Sequence, residues 1–161
     1  MIGATEGWLL TDAEATRAAG AALGRLVPAG LVLLAEGDLG AGKTTFAQGL
    51  ARGLGVPPEH YVNSPTFAIL QTHPGRVPFH HIDLYRLGDP DEIWALGLDD
   101  VLEGDGVSFV EWPERWPELA EGPHLRVHLA DGPGGGRRLE ITAQGAVAEG
   151  VRQAFIAAHG S

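Results

Sequence analysis

The order of apolar and polar positions along the chain predicts an α/β protein. A wholly apolar segment at 31–35 precedes a glycine-punctuated loop at 37–42 and a helical pattern over 43–54. Further segments predict helices over 11–26, 90–96 and 146–158, and strands over 67–71, 77–84, 107–110, 125–129 and 138–142. Because strands and helices alternate, we expect a three-layer sandwich whose mixed, mainly parallel sheet also contains antiparallel hairpins.

Local signals refine this pattern. Thr11 and Glu14 have the spacing of a capping box at the head of the first helix. Pro90 suits the first position of a later helix, where a missing N–H costs nothing. The Pro74-Gly75 turn and the glycine-rich turn near 132–136 each join two strands into a predicted hairpin.

Length and composition indicate one domain spanning 1–161. The 161 residues are 44% hydrophobic and 20% charged, which is typical of a globular chain. The absence of Cys excludes disulfides, thiolate zinc sites, iron–sulfur clusters and cysteine nucleophiles. The longest strongly apolar run is far shorter than the roughly 18 residues of a membrane span. We therefore expect a soluble, cytoplasmic protein.

The charge balance adds two constraints. Eleven Lys and Arg stand against 21 Asp and Glu, giving a net charge of −10, which argues against strong independent binding of nucleic acid. Ten of the eleven cations are Arg, and Lys43 is the single lysine.

That lysine lies in a phosphate-binding motif. Residues 37–44 match G-x-x-x-x-G-K-[ST] at every position, between a predicted strand and a predicted helix. Glycines allow consecutive N–H groups to face phosphate oxygens, while Lys43 would bridge the β and γ phosphates and Thr44 would offer its hydroxyl to Mg²⁺. The candidate nucleotide ligands are Asp38, Leu39, Gly40, Ala41, Gly42, Lys43, Thr44 and Thr45.

The position of Lys43 favours a functional role. A lysine at a helix N-terminus faces the positive end of the helix dipole, at a cost of about 0.3–1 kcal/mol, which bound phosphate would offset. With no second lysine, the Asn-Lys-x-Asp motif that reads guanine cannot occur. The sequence therefore favours ATP over GTP.

Four further residues are candidates for the same site. Asp83 and Glu111 follow predicted strands, where a carboxylate can hold Mg²⁺, and the more apolar strand before Glu111 makes it the stronger metal-side candidate. Thr66 follows Ser64-Pro65 in the loop after the P-loop helix, where its hydroxyl could reach metal or γ phosphate. Trp112 could cover a nucleotide or fill the core. Adjacent His80 and His81 should point to opposite faces of a strand, so we expect no histidine metal cluster there.

Several segments together resemble one family. They are 37–46 (Gly-Asp-Leu-Gly-Ala-Gly-Lys-Thr-Thr-Phe), 64–67 (Ser-Pro-Thr-Phe), 81–87 (His-Ile-Asp-Leu-Tyr-Arg-Leu), 97–100 (Gly-Leu-Asp-Asp) and 110–114 (Val-Glu-Trp-Pro-Glu). In order and spacing they resemble the bacterial TsaE family, also called YjeE. The resemblance implies a small P-loop ATPase that binds ATP and Mg²⁺, hydrolyses ATP slowly alone, and associates with the TsaD and TsaB proteins. Through them it would serve threonylcarbamoyl modification of tRNA adenosine 37.

The resemblance also implies roles for individual residues. Lys43, Asp83 and Thr66 would act in catalysis, Asp83 in hydrolysis and Thr66 as a switch-like residue, while Thr44 and Glu111 would hold Mg²⁺. Trp112 would lie beside the nucleotide, and Thr11 with Arg137 or Arg138 would close over its base.

Two other readings of the motif remain open on sequence alone. Many small-molecule kinases are P-loop domains of similar size, but they need an acceptor pocket and an arginine-bearing lid, neither of which the sequence identifies. A nucleotide-dependent binding module without meaningful turnover is the third alternative.

Overall fold

The computed structural model describes residues 6–38, 40–60, 62 and 69–159. These residues form seven strands: β1 (Glu6–Leu10), β2 (Val32–Glu36), β3 (Leu70–His73), β4 (Phe79–Asp83), β5 (Val107–Glu111), β6 (His124–Asp131) and β7 (Arg137–Gln144). The α-helices are α1 (Ala13–Gly24), α2 (Lys43–Gly53), α3 (Asp91–Ala95), α4 (Leu98–Glu103) and α5 (Ala146–His159). Short 3-10 turns span Pro113–Arg115, Pro117–Glu121 and Pro133–Gly135. No helix in the described ranges is both long and apolar enough to cross a membrane.

All seven strands belong to one mixed sheet in the order β1-β7-β6-β2-β5-β4-β3. The four strands from β6 to β4 pair in parallel, whereas β1 with β7, β7 with β6, and β4 with β3 pair antiparallel. The predicted mixed α/β sheet with hairpins is confirmed. Parallel pairing is confined to its centre, so the described sheet has as many antiparallel as parallel pairings rather than a parallel majority.

The sheet separates two apolar layers. Leu33 and Phe109 pack on one face with residues of α1, α2 and α5. Leu34 and Val110 pack on the other face with residues of α3, α4 and the 3-10 turns. Every residue of β5 is buried, because helices or turns cover both faces of this strand. The three predicted layers are therefore present, and the carboxyl ends of β2, β4 and β5 share one edge.

Several predicted boundaries are corrected by the structure. Asp12, not Thr11, caps α1, since its Oδ1 accepts a hydrogen bond of 2.7 Å from the Ala15 N–H. Pro90 is the N-cap of α3 and so precedes its first helical position. The sequence pattern did not predict β1 or α4. The predicted strand over 67–71 lies partly outside the described residues, and β3 begins at Leu70.

Glycines allow α1 and α2 to touch backbone to backbone. A Cβ built on Gly49 of α2 would overlap the carbonyl oxygen of Arg17 in α1, and one built on Gly20 would overlap the carbonyl oxygen of Phe46. Only hydrogen fits at these positions, so the close approach depends on glycine. This contact fixes α2 against α1, and with it the position of the loop at the N-terminus of α2.

We predict that Gly49→Ala lowers the free energy of unfolding by about 1–3 kcal/mol, because the added methyl group must push two helix backbones apart. Urea denaturation measures the change. Gly150→Ala in α5 is the matched control, because its Cβ meets nothing within 4 Å and should raise stability by about 0.5–1 kcal/mol. Equal effects of the two substitutions would contradict the proposed helix contact.

Candidate nucleotide-binding site

The loop between β2 and α2 is built on glycines that adopt the left-handed region. Gly40 has φ 80°, and Gly42, the N-cap of α2, has φ 102°. The Gly42 cap has no side chain, so the first N–H groups of α2 receive no side-chain cap. A helix N-terminus approached through such a loop is a site for phosphate. Leu39 lies outside the described residues.

Lys43 is buried within this loop. Its ammonium donates a hydrogen bond of 2.6 Å to the Gly37 carbonyl and lies 3.8 Å from the ring centroid of Trp112. Burial lowers the pKa of Lys43, while the carboxylates of Glu111, Asp83, Glu114 and Asp38 act in the opposite direction. The geometry therefore holds a positive charge at the strand edge, facing several acids. Thr44 and Thr45 follow it in the first turn of α2.

The two predicted strand-end acids lie side by side. β4 and β5 pair in parallel with Asp83 opposite Glu111, so the register alone brings both acids to one edge. Glu111 is buried, and Asp83 is half-buried with its Oδ1 accepting a hydrogen bond of 2.9 Å from the Tyr85 N–H.

The pKa of Asp83 responds to this setting. Burial raises it most, and the neighbouring Glu111 raises it further. The Tyr85 N–H, His81 and Lys43 act in the opposite direction, but burial prevails and the pKa lies above its ordinary value. A carboxylate whose proton affinity is raised in this way is suited to accept a proton.

His81 is the main site residue that sequence reasoning missed. It is fully buried against Phe79 and Phe109, and its Nε2 lies 2.5 Å from Oε2 of Glu111. Its Nδ1 has no hydrogen-bond partner among the described residues. The geometry fits an Nε2–H that donates to the carboxylate and holds Glu111 in one orientation. Strand alternation could have indicated this contact, because His81 shares a strand face with Asp83.

The ring of Trp112 lies over the Lys43 ammonium. It has φ 58° and is the one non-glycine residue with positive φ in the described part of the chain. Its ring also packs against Tyr85, with centroids 5.0 Å apart. A left-handed non-glycine residue costs on the order of 1–3 kcal/mol and is typical of functional sites. Besides contacting Lys43, Trp112 packs at the rim of the smaller apolar layer.

Two cavities flank the loop. One of about 320 Å³ is lined by Gly37, Asp38, Ala41, Trp112 and Glu114 together with the end of β6. The other, about 230 Å³, lies between the start of α1, the start of α2 and the turn before β7. Both are placed to receive parts of a ligand whose phosphates occupy the loop.

Arg137 borders the second cavity and contacts the loop directly. Its guanidinium donates hydrogen bonds to the carbonyls of Ala41, at 2.9 Å, and Gly40, at 3.0 Å. Arg138 instead lies 3.9 Å from Glu140 on the sheet. Of the two arginines, the structure thus brings Arg137 to the loop.

The other predicted contacts at this end differ in outcome. Thr11 is exposed and does not line the second cavity, which its neighbours Asp12 and Thr16 do. Thr66 lies outside the described residues. The structure therefore gathers Lys43, Asp83 and Glu111 in one place, with Trp112 beside them.

We predict that Asp83→Asn raises the stability of the metal-free protein at neutral pH. Because the folded-state pKa of Asp83 is raised, the folded protein holds this proton more tightly than the unfolded chain. Its free energy of unfolding must then fall as pH rises from the ordinary aspartate pKa through the raised value. The asparagine side chain can still accept the hydrogen bond from the Tyr85 N–H. Because an amide does not titrate, the stability of the variant should not show this decline with pH.

Urea denaturation in EDTA across this pH range measures the effect. The exposed Asp105→Asn is the control and should leave the pH profile unchanged. A lower stability of Asp83→Asn than of the wild type at pH 7 would contradict the prediction.

Comparison with known proteins tests the resemblance stated above. The family model described as "Threonylcarbamoyl adenosine biosynthesis protein TsaE" matches residues 10–139. A tRNA threonylcarbamoyladenosine biosynthesis protein TsaE from Nostoc sp. is 43% identical over 138 residues, covering 83% of each chain. The protein of the same name from Bacillus subtilis is 39% identical over 139 residues, covering 86% of this chain and 85% of its own.

A solved structure gives the same answer for the fold. The crystal structure of Bacillus subtilis YdiB superposes with a TM-score of 0.79 and 30% sequence identity, covering 96% of this chain and 95% of that one. The fold is thus that of a P-loop NTPase-like α/β protein, as the sequence predicts. Since the family model spans most of the chain and the relatives agree with it, this chain belongs to the TsaE family of tRNA threonylcarbamoyladenosine biosynthesis proteins.

Proposed function

We propose that this protein is a magnesium-dependent ATPase that acts on a complex of the TsaD and TsaB proteins in the modification of tRNA adenosine 37. The observation that carries the proposal is the buried ammonium of Lys43, which the P-loop holds opposite Asp83 and Glu111. A buried charge is costly unless something compensates for it, and the phosphates of a nucleotide would do so. The family's involvement in threonylcarbamoyladenosine biosynthesis supplies the context.

The residues present fit a magnesium ion held together with nucleotide. Mg²⁺ prefers oxygen ligands and commonly uses only one or two carboxylates, with phosphates completing its shell. The Thr44 hydroxyl and the buried Glu111 carboxylate, which His81 orients, are ligands of this kind. The described residues contain no group of three or more His, Cys, Asp or Glu that could hold a metal without nucleotide. When bound, the ion would neutralise phosphate charge.

The protein's own groups would then carry the hydrolysis. Loop N–H groups and the Lys43 ammonium bind the β and γ phosphates and stabilise the charge that develops on them. A water oxygen attacks the γ phosphorus as the bond to ADP breaks, and Asp83, whose proton affinity is raised, accepts the proton from that water. Thr66 is proposed, from the resemblance alone, to sense the γ phosphate.

The remaining site residues would position the nucleotide. Trp112 lies over the same ammonium that would meet the phosphates, and Arg137 fixes the loop through its hydrogen bonds to the Gly40 and Ala41 carbonyls. Thr11 and Arg137 remain proposed neighbours of the base. The net charge of −10 disfavours direct contact with RNA, so tRNA would be served through the protein partners, in the cytoplasm.

We predict that Lys43→Ala weakens binding of MgATP by about tenfold to a hundredfold, since it removes a charged contact to phosphate. Asp83→Asn should bind MgATP normally but lose about 10²–10⁴-fold in turnover, because only proton transfer is lost. Calorimetry and phosphate release measure the two effects. Arg52→Ala, an exposed cation on the same helix, is the control. Wild-type affinity in Lys43→Ala would overturn the P-loop assignment.

We further predict that phosphate release is slow for the protein alone and changes when purified TsaD and TsaB are added. Lys43→Ala mixed with the same partners should release no additional phosphate, which assigns the turnover to this chain. If the wild type does not bind the two proteins, the proposed function is wrong. Appearance of a phosphorylated small molecule in place of free phosphate would identify a kinase instead.

A further inference from the structure

Large apolar side chains are exposed in the segment 85–96, which includes α3. Trp94 is 63% exposed, Leu96 50% and Tyr85 41%, and we call these three residues the Trp94 surface. The segment beneath is firmly packed, because Ile93 and Leu98 are buried in the smaller apolar layer. The exposure of Trp94 therefore follows from the direction of the helix face. Three large apolar side chains exposed within twelve consecutive residues are a feature typical of interaction sites.

The chain around Trp94 is rich in acidic residues. Residues 88–106 contain seven of the chain's 21 acids and no Lys, Arg or His. The seven acids are Asp89, Asp91, Glu92, Asp99, Asp100, Glu103 and Asp105. The local charge is thus strongly negative around an aromatic centre.

One residue of the Trp94 surface, Tyr85, contacts the candidate nucleotide-binding site. Tyr85 packs against Trp112, which lies over the ammonium of Lys43, and the Tyr85 N–H donates to Asp83. A molecule that covers Tyr85 therefore rests against groups that contact both the proposed phosphate-binding lysine and the proposed proton acceptor. Binding that covers Tyr85 could therefore act on the site through the contact between Tyr85 and Trp112.

The charge selects among possible occupants. A second copy of this chain would bring an equally acidic surface, and RNA or an anionic membrane would bring further negative charge, so all three are disfavoured. A protein with an apolar recess bordered by Lys and Arg would bury the exposed Trp94 and would also pair with the acidic residues around it. Tryptophan is one of the residues in which interface hot spots are enriched.

We propose that the Trp94 surface docks a protein partner that has a basic, apolar-centred face. The proposal rests on the proposed function, because the partner tested is the TsaD–TsaB complex, and it names the surface through which that complex would influence hydrolysis. The acidic residues would speed association, and burial of Trp94 would supply most of the free energy that keeps the complex bound.

Binding of purified TsaD–TsaB to variants of the full chain tests this assignment. Trp94→Ser should weaken binding by at least about tenfold while leaving phosphate release by the isolated protein unchanged. Asp100→Lys combined with Glu103→Lys should slow association and reduce its dependence on salt. Val147→Ser on α5 is the matched control, since Val147 is 59% exposed but lies outside the Trp94 surface and should bind as the wild type does.

Each outcome decides the matter. If the wild type binds the complex and Trp94→Ser binds equally well, the docking surface is overturned and the proposed function stands. If the wild type does not bind, both proposals fail. The proposed occupant is wrong, and the proposal is overturned, if the wild type sediments as a homodimer and Trp94→Ser as a monomer. The same holds if the wild type binds tRNA and Trp94→Ser does not.

Discussion

The ammonium of Lys43, buried beside the carboxyl ends of three parallel strands, is the feature on which the site depends. Burying a charge is unfavourable unless neighbouring groups compensate for it. Here the Gly37 carbonyl, the Trp112 ring and the nearby carboxylates offset only part of this cost, since burial still lowers the pKa of Lys43, and each of these groups is positioned by a different element. The parallel register of β4 and β5 aligns Asp83 with Glu111, while the glycine contact between α1 and α2 fixes the helix that carries Lys43.

Several unfavourable features are concentrated at this one edge. Burial lowers the pKa of Lys43 and raises that of Asp83, so both charged forms are destabilised by the fold. Trp112 adopts a left-handed conformation, and Nδ1 of His81 is buried without a partner among the described residues. None of these features strengthens the core. Strained backbone and perturbed pKa values are typical of functional sites, and an anionic ligand would stabilise the charged form of Lys43.

The sequence predicts this site to the extent that its chemistry is local. A glycine loop between strand and helix identifies Lys43, and strand ends identify Asp83 and Glu111, because each signal lies within a few consecutive residues. Strand alternation places His81 on the same face as Asp83, but the contact of His81 with Glu111 also depends on the lateral pairing of β4 with β5, 30 positions apart, which alternation does not specify. The choice of Arg137 over Arg138 likewise depends on which face of β7 meets the loop.

The contact of Tyr85 with Trp112 constrains how any partner could influence hydrolysis. A partner alters the chemistry only if it binds one state of the site more tightly than another. Tyr85 and Trp112 are well placed for this, because one end of the pair reaches solvent and the other touches the proposed phosphate-binding ammonium. Coupling between two binding equilibria is reciprocal. A partner that favours the position Trp112 adopts with nucleotide bound would therefore raise the affinity for nucleotide. Nucleotide would raise the affinity for that partner by the same factor.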